Sequence, residues 1–110
     1  MDSNERSDGR NDFRGESVAL ADRLKRFRDL IDRYDVEIVK LLNLRTQAAL
    51  ELGQLKEEAG LETYQPNREK VVLEQVRNAN NGPLNNDAVT RLFERIIDEN
   101  RNLEEFEKKK

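Results

Sequence analysis

The stretch LADRLKRFRDLIDRYDVEIVKLLNLRTQAALELGQLKEEA, residues 20–59, decides the fold. Apolar residues recur through it at alternating spacings of four and three: Leu20, Leu24, Phe27, Ile31, Tyr34, Ile38, Leu41, then Arg45, then Ala48, Leu52, Leu55 and Ala59. That spacing draws one apolar seam along an α-helix. No proline interrupts it, Ser17 is the predicted N-cap, and Gly60 stands where a left-handed residue ends a helix. A helix over residues 18–59 is roughly 60 Å long, whereas a compact chain of this size has a radius of gyration of about 13 Å. One chain cannot enclose such a helix. The expectation is a homodimer in which the two long helices pair and each chain's remaining helices complete the bundle.

Two further helices follow. Pro66 sits at an early helical position, with Val72, Leu73 and Val76 as an apolar face, and NANNGPL at residues 78–84 breaks the pattern. Val89, Leu92, Phe93, Ile96, Ile97 and Leu103 then mark a third amphipathic helix from about Asn86 to near Phe106. Nothing reads as a strand, so the predicted class is all-α with three helices per chain, one very long. Ahead of the seam, MDSNERSDGRNDFRG at residues 1–15 is polar and aperiodic, the composition of a flexible tail. The expected division is therefore a tail over 1–15 and a helical domain over 16–110.

Composition narrows the chemistry. With 35% hydrophobic and 39% charged residues in 110, the chain is lean for a self-contained core, which again favours oligomerisation. The net charge of −3 is mixed along the chain, so no basic footprint for nucleic acid appears. No apolar run reaches membrane-spanning or signal-peptide length, and a cytoplasmic location is expected. Zero Cys and zero His remove disulfides, thiol nucleophiles, zinc-type sites and the commonest general base. The five glycines form neither a phosphate loop nor a dinucleotide fingerprint.

Polar residues on apolar faces are the candidates for function. Arg45 interrupts the seam, and a buried guanidinium without a partner is very costly. It is half of a structural ion pair, with Glu69 or Glu104 as the partner, or a register device of the kind seen at coiled-coil core positions, or the anchor of an anionic ligand. Lys56 is eleven residues on, within about 20° of Arg45 around the helix and roughly 16 Å along it, so the two side chains can converge on a small molecule. Arg28 is seventeen residues before Arg45, about 25 Å away along the same helix, and would have to join it from another protomer. Singly, Arg28 and Lys56 also read as solvated surface charges. Asn100 and Glu104 continue the line of Phe93 and Ile97 on the third helix. Arg68 and Glu69 fall in the first turn of the second, where Glu69 has a ready structural explanation in the helix N-terminus and Arg68 in simple exposure. Gly53 inside the long helix costs about 1 kcal/mol against alanine, for which close helix packing is the ordinary reason.

In this order, five stretches resemble the all-helical, AroQ class of chorismate mutases: FRDLID at 27–32 with Asp35, LLNLR at 41–45, LGQLK at 52–56, YQPNRE at 64–69 and TRLFERII at 90–97. The resemblance covers about residues 24–104. It implies an intertwined homodimer in which Arg45, Lys56 and Arg68 of one chain and Arg28 of the other hold the two carboxylates of chorismate. It also implies that Glu69, with the backbone near Gln65, meets the ring hydroxyl, that Asn100 helps to hold the ring carboxylate, and that Lys56 and Glu104 face the ether oxygen. The implied reaction, chorismate to prephenate on the way to phenylalanine and tyrosine, is a pericyclic shift without nucleophile, proton transfer or cofactor, which suits a chain lacking His and Cys.

Three positions depart from the commonest family pattern. Gln65 stands for a frequent Asp, Asn100 for a frequent Ser, and Glu104 for a frequent Gln, and a glutamate donates to an ether oxygen only when protonated. Two other readings compete: an isochorismate-pyruvate lyase, which shares the fold and cationic site, and a non-catalytic helical dimerisation module.

Overall fold

Three helices organise the described residues, 7–109, of this computed structural model: α1 (Ser7–Glu58), α2 (Pro66–Ala79) and α3 (Asn86–Lys108). No strand is found among the described residues, as the periodicity requires. No helix is long and apolar enough to cross a membrane, among the described residues.

The helix ends follow local chemistry. Gly60 takes φ +73 directly after α1, and the Leu61 amide donates to the Lys56 carbonyl at 2.8 Å, which closes the last turn. Pro66 starts α2, where its missing N–H costs nothing. The Asn85 side chain caps α3 by accepting from the Ala88 amide at 2.8 Å. Between α2 and α3, the Asn80 amide nitrogen donates to the Leu84 carbonyl at 2.8 Å and to Asn86 Oδ1 at 2.9 Å, so the predicted breaker is a tied turn.

One boundary needs correcting. The helix begins at Ser7 rather than at a Ser17 cap, so residues 7–15, assigned to the tail by composition, are helical. Once a helix is nucleated each added residue gains a hydrogen bond, and no proline stands in the way. Residues 1–6 of the expected tail lie outside the described residues.

The chain divides into two units, Met1–Lys40 and Leu41–Lys110. In the first, the seam from Leu20 to Ile38 is 46–59% exposed at every position. In the second, α2 and α3 pack on each other through half-buried Val72, Leu73, Val76, Phe93, Ile96 and Ile97, with Val89 buried. The residues of α1 enclosed in this unit are Arg45, Thr46, Ala49, Leu50, Gly53 and Lys56, whereas Leu41, Leu52 and Leu55 of the seam stay at least half exposed. Thus α1 turns a mainly small and polar face, with Leu50 its one leucine, to its own chain's helices and leaves those seam leucines at least half exposed. Val89 and Asn100 are the buried residues, and no side chain is wholly enclosed, among those described.

Candidate active site

A cavity of about 280 Å³ lies within the second unit, walled by all three helices and the 59–65 connection. Seven of the eight residues singled out in the sequence line it: Arg45, Lys56, Gln65, Arg68, Glu69, Asn100 and Glu104. Arg28 lies in the first unit and is not part of the lining.

Arg45 donates through Nη1 to the side-chain oxygen of Asn100. The Asn100 amide nitrogen donates to Thr46 Oγ1 at 2.7 Å, and that hydroxyl donates to the Leu42 carbonyl at 2.8 Å. This relay starts and ends on α1 and passes through α3, so the Asn100 amide is held with its oxygen toward the guanidinium. The structural ion pair is absent: among the described residues Arg45 meets a neutral amide and no carboxylate within ion-pair distance. Burial first, and the neighbouring Arg68 second, lower its pKa from the ordinary guanidinium value, with Glu104 opposing. A partly enclosed cation beside a like charge is stabilised by an incoming anion.

At the other end of the cavity Lys56 donates to the Thr63 carbonyl at 3.2 Å and sits 3.9 Å from Glu104 Oε2, with both side chains largely enclosed. Glu104 Oε2 is buried with no hydrogen-bond partner. Burial raises the pKa of this carboxyl above the ordinary 4.5, against the pull of the Lys56 ammonium. Room for it comes from Gly53, where a Cβ would lie 2.9 Å from Glu104 Oε2 and 3.3 Å from its Cγ and Cδ. Close packing is therefore the reason for this helical glycine, and the group packed against it is a carboxyl rather than a helix backbone.

Sequence reasoning passed over Arg101, which also lines the cavity. It bridges Glu69 Oε2 at 2.5 Å and Asp98 Oδ1 at 2.6 Å, and its guanidinium carbon lies 4.9 Å from the centre of the Tyr64 ring. The signal was present, since Arg101 is four residues beyond Ile97 on the apolar face, but charge is so abundant here that it did not stand out. Thr46 was missed for a plainer reason: its role exists only through α3.

The lining carries four cations, Arg45, Lys56, Arg68 and Arg101, against two carboxylates, Glu69 and Glu104. An excess of two positive charges in a concave site suits a small dianion. Arg101 is neutralised locally by Glu69 and Asp98, which leaves Arg45, Arg68 and Lys56 to meet it.

Known proteins place this arrangement in a family. The Chorismate mutase type II family model matches residues 27–105, a span that includes Arg28 and every lining residue. The chain is 42% identical over 72 residues to the bifunctional chorismate mutase/prephenate dehydratase of Neisseria gonorrhoeae, covering 66% of this chain and 19% of that protein. It is 35% identical over 78 residues to the bifunctional enzyme of the same description from Aquifex aeolicus, covering 67% of this chain and 22% of that protein. The chain thus spans about a fifth of the length of these curated relatives. Among solved structures, form II of the chorismate mutase from Thermus thermophilus superposes with a TM-score of 0.74 at 35% identity, covering 76% of this chain and 94% of that one. Form I from the same organism gives 0.69 at 33% identity, covering 71% and 98%. With the matched span, the three-helix architecture and the cationic cavity in agreement, the chain belongs to the chorismate mutase type II family.

Proposed function

We propose that this chain converts chorismate to prephenate by a [3,3] rearrangement, in a helical domain spanning residues 16–110 and in the cytoplasm, on the route to phenylalanine and tyrosine. The observation that carries the reading is Arg45, partly enclosed beside Arg68 with a neutral partner only, in a cavity with two excess positive charges. Chorismate is a dicarboxylate of matching charge. Arg45 and Arg68 hold its carboxylates through planar forks that Lys cannot imitate, with Asn100 orienting Arg45. Gripping both carboxylates selects the folded, chair-like conformer, which is the positioning part of catalysis. As the C–O bond breaks and the new C–C bond forms, negative charge grows on the ether oxygen. The Lys56 ammonium, and the Glu104 carboxyl when protonated, then stabilise the transition state more than the ground state. Glu69 and the backbone at Gln65 receive the ring hydroxyl.

Arg28 completes the site from a second copy. Its place outside the cavity lining, and the exposed seam from Leu20 to Ile38, support a homodimer in which the long helices cover one another and the partner's Arg28 reaches the first copy's substrate.

The test is prephenate formation by the purified chain, with isochorismate in a parallel reaction. Prephenate from chorismate without pyruvate from isochorismate is the expected outcome; pyruvate alone would make the protein a lyase, and neither product would leave a dimerisation module. Sedimentation should show a dimer. Coexpressing inactive Arg28→Ala and Arg45→Ala chains should restore about a quarter of wild-type activity, because half the dimers are mixed and each holds one intact site. No recovery in mixed dimers overturns Arg28 in trans.

A further inference from the structure

We propose that Arg101 is a positioning residue that presents the Glu69 carboxylate to the ring hydroxyl of the substrate; this rests on the mutase reading of the cavity. Arg101 comes from α3 and Glu69 from the first turn of α2, so the bond between them is tertiary and fixes a carboxylate that its own helix leaves free to rotate. Three restraints act on one planar group. Nη1 donates to Glu69 Oε2 at 2.5 Å, Nη2 donates to Asp98 Oδ1 at 2.6 Å, and the guanidinium carbon lies over the Tyr64 ring, 4.9 Å from its centre. Two carboxylates, one at each terminal nitrogen, and an aromatic ring within cation–π distance together restrain the orientation of the guanidinium.

The consequence falls on Glu69. One oxygen, Oε2, is committed to Arg101, which leaves Oε1 as the acceptor for a hydroxyl inside the cavity that Glu69 lines. The arrangement also separates Arg101 from the other cations of the site. Arg45 and Arg68 face no carboxylate at ion-pair distance among the described residues, whereas Arg101 faces two. Its charge is answered within the chain, so it acts through Glu69 and not on a substrate carboxylate. Alignment of an acceptor with a hydroxyl present in both the ground and transition states is uniform binding, and its loss raises KM with little change in kcat.

The experiment compares two substrates, chorismate and its analogue lacking the ring hydroxyl, with the full-length wild type and two variants. Arg101→Leu removes all three restraints, and Asp98→Ala removes only one, at a side chain that is itself exposed. The expected result is a KM for chorismate raised about tenfold or more in Arg101→Leu and less in Asp98→Ala, with kcat nearly unchanged. For the deoxy analogue both variants should match the wild type, because no hydroxyl awaits Glu69. An equal loss on both substrates, or no loss on chorismate, overturns the proposal; should Arg101→Leu fail to fold, the same comparison with Asp98→Ala and Arg101→Lys decides it. Failure of the mutase reading shows separately, as absence of chorismate turnover in the wild type.

Discussion

Replacing Gly53 with alanine sets helix propensity against site geometry. In a helix interior alanine is favoured over glycine by about 1 kcal/mol. The new methyl would lie 2.9 Å from Glu104 Oε2 and 3.3 Å from Cγ and Cδ, where ordinary contact begins at 3.4 Å. Overpacking of this kind costs about 1–3 kcal/mol, and the low end applies here because the group met is the end of a flexible side chain. The two terms nearly cancel, so the melting temperature should move little. Activity should not escape so lightly. The Glu104 carboxyl must retreat by roughly half an ångström or more, or turn away from Lys56, and displacement of about 1 Å at a reacting centre can cost on the order of a hundredfold. The measurement is kcat for prephenate formation together with thermal melting. Gly53→Ala should melt near the wild type with kcat reduced about ten- to a hundredfold. In a Glu104→Ala background the same substitution should add nothing further, the mark of two residues acting through one contact. An unchanged kcat in folded Gly53→Ala protein, or a full additional loss in the Glu104→Ala background, refutes the reasoning.

Four further expectations rest on the same geometry. Since burial raises the Glu104 pKa, activity should climb toward acidic pH as the carboxyl acquires the proton it donates, and Glu104→Gln, a permanent donor, should flatten the pH–rate profile. Stability carries the same sign: proton binding to Glu104 is tighter in the folded state, so its contribution is complete below the ordinary 4.5 and is lost as pH rises through the raised value, and melting of Glu104→Gln should lack that slope. Arg45→Lys keeps the charge and loses the fork; about 3 kcal/mol of charge-assisted hydrogen bonding, or roughly a hundredfold in kcat/KM, should disappear, and normal kinetics would show that charge alone suffices. Thr46→Val removes the hydroxyl linking Asn100 to the Leu42 carbonyl and should destabilise the chain by about 1–3 kcal/mol in urea unfolding; an unaltered midpoint contradicts the relay.

Much of this architecture is local and was therefore legible in the order of residues. A four-three apolar period specifies a helix because side chains three and four apart share a face, and Gly60, Pro66 and Asn85 mark helix ends through backbone chemistry within a few residues. The start of α1 was misread because composition argues about burial, whereas a helix already formed extends at little cost through Arg10 and Arg14 to Ser7. The candidate site was legible in part. Arg45 announced itself by standing in an apolar seam, and Lys56, Arg68, Glu69, Asn100 and Glu104 could be gathered around it once the family resemblance supplied the pairing of helices. What each touches was not legible.

By itself, then, the sequence determined three helices, their ends to within a residue or two beyond Ser17, and a cation that required an anion. Only tertiary structure decided which anion it was not: Arg45 meets Asn100, while Glu69 is taken by Arg101 and Glu104 lies against Gly53 and Lys56. It also decided which face of α1 the chain keeps for itself, the strip of Arg45, Ala49, Gly53 and Lys56 rather than the seam leucines Leu41, Leu52 and Leu55. The reason is range. Helix periodicity and capping act over three or four residues, whereas Arg45 and Asn100 are 55 residues apart, and Arg101 and Glu69 are 32 apart. Contacts at that separation depend on how helices are placed, and no local pattern records it.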